Sequence, residues 1–312
     1  MTSASEISAK AIEILSHHAK FLFPNHDFAE VYNYSLFPAG KLFRPSLCLA
    51  VGMDKSGVGL NEIGVRTSLA SASAALEVHH TYTLMHDDLP CMDNDDERRG
   101  RPSSHIKFNE WKALLGGDGL LNASYRLVSH GEHPNTALAV KIFAWATGPK
   151  GLIQGQVLDL SEEMNLSFEN LLKTHELKTA RLIQLSLILG LLYSSSADWK
   201  TAKSLWRLGH AIGISFQLID DLSELSEVNP GEHELAVNPW LTMPDQCQAK
   251  LVQEINLINK VLEEEGLRNT KTVLDAYFDK MRNVILEYSE MILKHINESG
   301  KSSDLSPLMA VL

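Results

Sequence analysis

The residues best suited to carry chemistry lie in one short acidic segment. Six carboxylates fall within residues 87–97, and Arg98 and Arg99 follow them at once. Two bare carboxylates about 6 Å apart repel by roughly 2–3 kcal/mol at an effective dielectric constant of 20. The preceding sequence is largely apolar, so solvation alone does not account for the cluster. The segment therefore predicts a cation-binding site.

A helix over residues 65–88 must position this segment, because that stretch contains neither Gly nor Pro. One stripe of the helix carries Leu76, His80, Thr83 and Asp87. Pro90 removes a backbone donor, so we expect the helix to bend or end there. In an ideal helix Asp93 would lie about 120° away from the stripe, and a local bulge could bring it back.

A second acidic group follows an apolar stretch near residue 213. Its polar members are Gln217, Asp220, Asp221 and Glu224, whose spacing places them on one helix face. The residues around them are mostly apolar, so these carboxylates are also poorly solvated. Two acidic helical segments that face one another would supply the oxygen ligands that Mg²⁺ prefers.

Basic residues near these segments could hold phosphate groups. They occur in residues 40–45, at Arg98 and Arg99, and in residues 175–179. Guanidinium groups match pairs of phosphate oxygens, and lysine acts as a point charge. Acidic clusters for metal beside basic clusters for phosphate predict a metal-bridged diphosphate substrate. Taken singly, a double Asp is also typical of a solvated helix end, and His80 of a paired core histidine.

The composition is that of a globular protein. With 312 residues, of which 44% are hydrophobic, the chain can bury a large core, and we expect a single domain over residues 1–312. A formal net charge of −11 argues against nucleic-acid binding, which needs a basic surface. Cys48, Cys91 and Cys247 lack CxxC spacing, so neither a disulfide framework nor a zinc site is predicted.

The chain shows no signal for a membrane or for export. Its first residues contain no basic region followed by an apolar run, and no apolar stretch approaches the 18 or so residues of a membrane span. Three scattered cysteines are compatible with a reducing compartment. We therefore expect a cytoplasmic protein without a membrane span.

Helical spacing dominates the chain, and alternating strand-like runs are nearly absent. Beyond a first stripe from Ile7 to Leu22, helices are predicted over residues 66–88, 111–130, 136–146, 168–193, 198–224, 246–265 and 271–295. Turns are predicted at residues 37–40, 116–119, 131–134, 148–151 and 229–231. Residues 226–245 are expected to be irregular. The reading is an all-α fold of many helices.

Both acidic segments together resemble the trans-isoprenyl diphosphate synthases, most closely the short-chain bacterial farnesyl diphosphate synthases. The similarity covers about residues 40–224. The matching residues are Gly40-Lys-x-x-Arg-Pro45, Glu77 with His80, His86-Asp-Asp-Leu-Pro-x-Met-Asp93, Arg98-Arg-Gly-x-Pro102, Gly117-Asp118, Gly155-Gln-x-Leu-Asp-Leu160, Lys178-Thr179 and Phe216-Gln-x-x-Asp-Asp221.

The resemblance implies a fold, an oligomeric state and a role for each group of site residues. The fold would be the isoprenoid synthase bundle around a central cavity, assembled as a homodimer. The implied Mg²⁺ ligands are Asp87, Asp93 and Asp220, with Asp88, Asp221 and Glu224 in support. The allylic diphosphate would meet Arg98, Lys178, Thr179 and Gln217. Isopentenyl diphosphate would meet Lys41, Arg44, His80 and Arg99.

The implied activity is a Mg²⁺-dependent prenyl transfer. An allylic diphosphate, dimethylallyl or geranyl, would ionise and couple head to tail with isopentenyl diphosphate, giving geranyl or farnesyl diphosphate. Asp87, Asp88, Asp93, Lys178 and Asp220 would carry the catalysis. In this family, product length is implied to depend on bulk just before the first acidic motif. Here Tyr82 and Thr83 predict a short product.

The sequence departs from the family pattern in two places. The second motif ends in Glu224, where the family usually has Asp. Moreover, no Lys or Arg occurs between Arg207 and Lys250, whereas family members carry a lysine soon after the second motif. Losing one charge-assisted contact costs about 1.5–3 kcal/mol. A weakly active or non-catalytic partner subunit therefore remains an alternative, as does a class I terpene cyclase.

Overall fold

The computed structural model describes residues 2–195, 197–227 and 237–312, and the regular secondary structure of these residues is almost entirely helical. The longer helices in the first half of the chain are α1 (Ala4–Leu22), α2 (Ala29–Leu36), α3 (Phe43–Ser56), α4 (Ser68–Asp87), α6 (Glu110–Val128) and α7 (Thr136–Thr147). A short helix α5 (Ser104–Lys107) and a 3₁₀ turn (Leu60–Glu62) lie between them. The all-α prediction is confirmed.

The second half continues in the same way. Its helices are α8 (Leu152–Leu160), α9 (Phe168–His175), α10 (Arg181–Leu192), α11 (Trp199–Glu224), α12 (Pro239–Thr242), α13 (Pro244–Glu264), α14 (Arg268–Glu287), α15 (Ser289–Glu298) and α16 (Ser306–Met309). A 3₁₀ turn (Glu163–Leu166) precedes α9, and a π-helical turn (Glu176–Ala180) joins α9 to α10.

Contacts divide the chain into two units. The first comprises Met1–Trp145 and Leu185–Asp198, and the second Ala146–Gln184 and Trp199–Leu312, in each case as far as those residues are described. The expectation of one domain over residues 1–312 stays a prediction.

Helix α4 is the central element of the first unit. It packs against α1, α3 and α6, and every residue from Leu69 to His79 is buried. This part of α4 is itself rich in small residues, Ala and Ser above all, on all of its faces. Neighbouring helices can therefore approach it from several directions. The close packing against these neighbours orients α4 and, with it, the acidic segment at its C-terminal end.

Glycines at residues 116–119 do not form a turn, and that prediction is wrong. They lie inside α6, where a methyl group on Gly117 would overlap the ring of His86 in α4. The ring also hydrogen-bonds through Nε2 to the Leu114 carbonyl at 3.0 Å. Glycine serves close packing of two helices here, and that close approach outweighs its lower helix propensity.

The second unit is organised around α11, which packs against α13 and the π-helical turn. The turn is approached from two sides, because a methyl group on Gly155 of α8 or on Gly213 of α11 would overlap its backbone. The single helix predicted over residues 168–193 is thus interrupted by an unforeseen π-helical turn.

Three further boundaries differ from prediction. The helix predicted over residues 271–295 is broken at Tyr288 into α14 and α15. Part of the segment predicted to be irregular is helical, because Asn238 caps α12 by accepting from the Trp240 amide at 3.0 Å and Pro244 begins α13. The rest, including the turn predicted at residues 229–231, lies largely outside the described residues.

Strands are limited to one hairpin in the described part of the chain. Glu97–Arg98 pairs antiparallel with Arg101–Pro102. Between them Arg99 and Gly100 have φ values of 56° and 70°, the positive pair that tight hairpin turns require. Periodicity did not predict this hairpin, which carries two of the predicted phosphate-binding arginines.

Candidate active site

The first acidic segment begins where α4 ends. Helix α4 stops at Asp87, as predicted from Pro90. The chain then folds back, and the Asp93 amide donates to the Asp87 carbonyl at 2.9 Å. Asp93 is exposed and Asp87 is half-buried. The predicted return of Asp93 towards Asp87 is thus achieved by a turn outside the helix rather than by a bulge inside it.

Arg98 is held by two carboxylates of this segment. Its Nε and Nη2 donate to Asp88 Oδ1 at 2.9 and 2.6 Å, and Nη2 also donates to Asp95 Oδ2 at 2.6 Å. Asp88 is only 2% exposed. Its burial raises the pKa of its carboxyl group, although Arg98 opposes that rise. The hairpin is therefore fastened to the acidic segment by an ion pair.

Arg99, the next residue, is held by a different acid. Its Nη2 lies 3.4 Å from Glu77 Oε1, and its guanidinium lies against Gly40, where a β-carbon would overlap it. Glu77 is buried in α4, and this burial raises its pKa, while Arg99 and Arg44 pull it down. The Gly40-Lys41 and Arg98-Arg99 motifs, about 60 residues apart in sequence, thus come together.

His80 belongs to the same neighbourhood. Burial lowers its pKa well below the ordinary value, and the positive charges of Arg44 and Arg99 lower it further. The imidazole is therefore neutral at neutral pH and offers one N–H donor. Arg44 is half-buried and Lys41 is exposed. The four residues predicted to meet isopentenyl diphosphate all lie in the first unit.

The two residues predicted to control product length are buried. Tyr82 is 7% exposed, and its ring packs edge-on against His79 and His86, with centroids 4.6 and 5.6 Å away. Burial raises the pKa of its phenol to about 12. Thr83 donates its hydroxyl to the His80 carbonyl at 2.8 Å. Tyr82 is thus a fixed bulky residue about one turn before the acidic end of α4.

Lys178, in the second unit, lies on the π-helical turn and pairs with Asp159 of α8. Such turns recur at functional sites because they move side chains out of the regular helical phase. The contact of Gly155 with the turn brings α8, and with it Asp159, up to Lys178. Both Gly155 and Asp159 lie in the family motif, but the sequence did not indicate that the carboxylate would pair with this lysine.

A chain of hydrogen bonds links the same turn to α11. Thr179 Oγ1 donates to Gln217 Oε1 at 3.0 Å, and Gln217 Nε2 donates to Asp221 Oδ1 at 2.9 Å. Because the amide oxygen accepts and the amide nitrogen donates, the two contacts fix the orientation of the Gln217 side chain. The predicted allylic-site residues Lys178, Thr179 and Gln217 are therefore close neighbours.

Asp221 is the most strongly perturbed carboxylate of this cluster. It is 7% exposed, and its Oδ2 has no hydrogen-bond partner within the described parts of the chain. Burial raises its pKa well above the ordinary value, and the negative charges of Glu224, Asp220 and Asp159 raise it further. Ionised Asp221 is thus unstable unless a cation compensates it.

Two further residues lie against Asp221: His175, from the basic segment predicted at residues 175–179, and Asn238, which the sequence did not indicate. His175 Nε2 is 3.8 Å from Asp221 Oδ2, beyond hydrogen-bond distance. Burial lowers the pKa of His175 to about 3, and Lys178 contributes to that lowering, so the ring supplies no charge at neutral pH. Asn238 donates to the Asp221 carbonyl at 2.7 Å. The position of Asn238 in the sequence gave no indication of this contact, which joins residues 17 positions apart.

The donor set fits Mg²⁺. Within the residues that the structure describes, no group of three or more His, Cys, Asp or Glu side chains is placed to hold a metal ion. Mg²⁺ is commonly bound through one or two carboxylates, the rest of its shell being water and substrate phosphate, so a complete protein cage is not required. The unpartnered, buried Asp221 oxygen in particular fits the neighbourhood of a cation.

Known proteins share this pattern of motifs and helices. The family model described as polyprenyl synthetase matches residues 25–230. The chain belongs to the polyprenyl synthetase family. It is 38% identical over 203 residues to a farnesyl diphosphate synthase of Bacillus subtilis, covering 62% of this chain and 64% of that protein. It is 36% identical over 206 residues to the chloroplastic geranylgeranyl pyrophosphate synthase 7 of Arabidopsis thaliana, covering 64% and 57%.

Comparison with solved structures shows structural similarity over nearly the whole chain. A geranyltransferase from Legionella pneumophila superposes with a TM-score of 0.76 at 26% identity, covering 91% of this chain and 96% of that one. The isoprenoid synthase fold implied by the motifs is therefore confirmed. The sequence match, in contrast, covers 57% and 64% of the length of the two relatives named above. No described helix is long and apolar enough to cross a membrane.

Proposed function

We propose that the protein is a Mg²⁺-dependent prenyltransferase that condenses dimethylallyl or geranyl diphosphate with isopentenyl diphosphate to give geranyl or farnesyl diphosphate. The observation that carries the proposal is that each acidic segment has basic residues beside it. Arg98 pairs with Asp88 in the first, and the turn that carries Lys178 is linked to the second through Thr179 and Gln217. Acids for a metal next to cations for phosphate are what a diphosphate leaving group requires.

In this proposal the allylic diphosphate meets Arg98, Lys178, Thr179 and Gln217, while Asp87, Asp93 and Asp220 hold Mg²⁺ with support from Asp88, Asp221 and Glu224. Bound Mg²⁺ would stabilise the negative charge on the departing diphosphate. Lys178 and Arg98 would each contribute positive charge to the diphosphate, and the Thr179 hydroxyl and Gln217 amide would orient it. The allylic C–O bond then breaks heterolytically, its electron pair leaving with the diphosphate.

The second substrate is held by other groups. Lys41, Arg44, Arg99 and neutral His80 bind the diphosphate of isopentenyl diphosphate, whose double bond attacks the allylic carbocation. A proton is then lost from the adjacent carbon, with the released diphosphate as the acceptor. No protein nucleophile is needed, and apolar side chains exclude the water that would otherwise quench the cation.

The decisive experiment supplies both substrates. The protein is incubated with isopentenyl diphosphate and either dimethylallyl or geranyl diphosphate over a range of Mg²⁺ concentrations, and the products are resolved by chain length. We expect products of ten or fifteen carbons and no turnover in EDTA. Absence of condensation at every Mg²⁺ concentration would overturn the proposal.

The relatives include both farnesyl and geranylgeranyl synthases, so they do not indicate the product length of this chain. We propose a short product because of the bulk of Tyr82. Replacing Tyr82 with Ala removes a buried ring near the acidic end of α4, so we expect longer products from the active variant. Tyr82→Phe keeps the bulk and removes only the hydroxyl, so its product should be unchanged. Identical product lengths for both variants would contradict the role of Tyr82.

A second function is favoured by one observation, the absence of Lys and Arg between Arg207 and Lys250. A subunit that has lost part of its diphosphate contacts could instead bind an active synthase and alter its product. The distinguishing result is inactivity of the isolated chain combined with co-purification of an active prenyl synthase. Activity of the isolated chain excludes this role.

We also propose a homodimer. Trp111, Leu114 and Leu115 lie on one side of α6 and are 55%, 46% and 49% exposed, and a contiguous exposed apolar patch is typical of an interaction surface. A second copy of the chain is the occupant that family resemblance implies. Light scattering should give twice the mass of the 34.6 kDa chain, and Leu114→Glu should shift it towards the monomer.

A further inference from the structure

The first unit contains a cavity of 260 Å³ that lies apart from the acidic segment. It is bounded by the end of α1, the residues just before α4, and the end of α6. Its polar lining consists of His17, His18, Arg66, Arg126 and His130. The lining contains no Asp or Glu, although the chain as a whole has a formal net charge of −11.

The two arginines of this cavity differ from the arginines described above. Arg98 and Arg99 are each held by a carboxylate. Arg66 and Arg126 are exposed, and neither is ion-paired within the described parts of the chain. Arg126 lies in the last turn of α6, where a cation is favourable by itself, but no such reason applies to Arg66. The cavity therefore presents two uncompensated guanidinium groups.

The histidines give the cavity a fixed wall. His18 is 8% exposed, and its Nε2 lies 3.2 Å from Ser71 Oγ. Burial lowers its pKa to about 4, so this ring stays neutral and structural. His17 and His130 pack edge-on against it, with centroids 5.5 and 5.9 Å away. Their nitrogens can therefore serve as N–H donors at the edge of the cavity.

We propose that this cavity is a binding site for a phosphate-bearing anion. Arg66 and Arg126 hold its oxygens, and His17 and His130 donate additional hydrogen bonds. The cavity is smaller than the roughly 300–1,000 Å³ typical of drug-sized ligands, which favours a compact group such as inorganic diphosphate or the head group of a prenyl diphosphate. The two sources share the same terminal chemistry, and guanidinium is the group best matched to it.

The test is calorimetric titration of the full-length protein with inorganic diphosphate in EDTA. Arg66→Gln combined with Arg126→Gln should weaken binding at least tenfold, because two charge-assisted contacts of about 1.5–3 kcal/mol each are lost. Arg98→Gln combined with Arg99→Gln weakens only the proposed active site, so the binding event that is lost in the Arg66/Arg126 variant should remain. Lys20→Gln combined with Lys107→Gln, which also removes two exposed positive charges, is the matched control for net charge.

The second arm uses geranyl diphosphate in place of the inorganic anion. Because geranyl diphosphate also binds the proposed active site, this arm is run in the Arg98/Arg99 variant. Tighter binding there than that of inorganic diphosphate, lost when Arg66 and Arg126 are also replaced, identifies the prenyl head group as the source, and equal or weaker binding identifies the free anion. Unchanged binding of both probes when Arg66 and Arg126 are replaced overturns the proposal, as does loss of binding in the Arg98/Arg99 variant. Thermal melts of all variants check that the fold is intact. The outcome does not depend on prenyltransferase activity.

Discussion

The two acidic regions manage their negative charge in opposite ways. In the first, Asp88 and Asp95 share Arg98, and Asp93 extends towards solvent. In the second, Asp221 is buried with one oxygen unpartnered within the described residues, while the nearby Lys178 is paired with Asp159. In the first region the buried carboxylate, Asp88, is neutralised by a cation that the protein itself supplies. The second retains a surplus of buried charge, for which a bound cation is the natural compensation.

The largest expected effect comes from removing one carboxylate from each region. Asp87→Asn and Asp220→Asn should each lower kcat on the order of 10²–10³-fold, because a proposed metal ligand that stabilises leaving-group charge is lost. Steady-state condensation assays at several Mg²⁺ concentrations measure the effect. Asp279→Asn, an exposed change on α14, is the control. Full activity in Asp220→Asn would remove the second region from the catalytic site.

A smaller loss is expected from Lys178→Gln. The change removes a cation that both pairs with Asp159 and is proposed to contact the allylic diphosphate. We expect kcat/KM for the allylic substrate to fall by about 10- to 150-fold, the equivalent of one charge-assisted contact of about 1.5–3 kcal/mol. Lys178→Arg keeps the charge and should recover part of the activity. An equal loss in both variants would indicate that packing of the π-helical turn, not charge, is what matters.

The charge surplus of the second region predicts a gain in stability for Asp221→Asn. The folded-state pKa of Asp221 is raised, so its ionisation destabilises the fold as pH rises through that value. Below the unfolded pKa of about 4 the carboxyl is protonated in both states and the penalty is absent. The variant should therefore be more stable than the natural protein by about 1–3 kcal/mol at pH 8 and about equal at pH 3. Denaturant melts at both pH values measure the difference, and a pH-independent difference would contradict the assignment.

The smallest effect is expected at Glu77, the acid that holds Arg99. Glu77→Gln keeps a side chain of the same shape but weakens the ion pair, so Arg99 becomes less well oriented for isopentenyl diphosphate. We expect KM for that substrate to rise a few-fold, the equivalent of about 1 kcal/mol, with kcat nearly unchanged. A fall in kcat with an unaltered KM would argue against a positioning role for Glu77.

Much of the fold followed from the sequence because apolar spacing sets helix positions directly. The predicted helix over residues 66–88 is α4 within two residues, and the stop signal of Pro90 was correct. Glycines misled the prediction at residues 116–119, since glycine marks both turns and close helix contacts. The hairpin at residues 97–102 is too short for any periodicity. It is held by side-chain contacts, since Arg101 Nη2 donates to the Tyr34 carbonyl in α2 and Arg98 pairs with Asp88.

The ion pairs of the candidate site could not be predicted from the sequence. Acidic and basic residues could be assigned to metal or phosphate from their types and from the family motifs. That Arg98 binds Asp88, Arg99 binds Glu77 and Lys178 binds Asp159 depends on contacts between helices, for which one sequence carries no signal. Whether these residues perform the proposed roles stays a prediction for the variants above.

The π-helical turn at Glu176–Ala180 has a consequence for how this chain could change over time. Such a turn is equivalent to one extra residue inserted into an α-helix, so deleting a single residue there would restore regular winding. Each residue of an α-helix turns by about 100°, and the π-turn absorbs one residue while its two flanks keep their relative orientation. The deletion would therefore leave the flanks in phase and redirect the side chains of the turn itself. Lys178 and Thr179 could not then keep their present partners while both flanks stayed packed. A deletion of one residue here would therefore break the contacts of Lys178 with Asp159 and of Thr179 with Gln217.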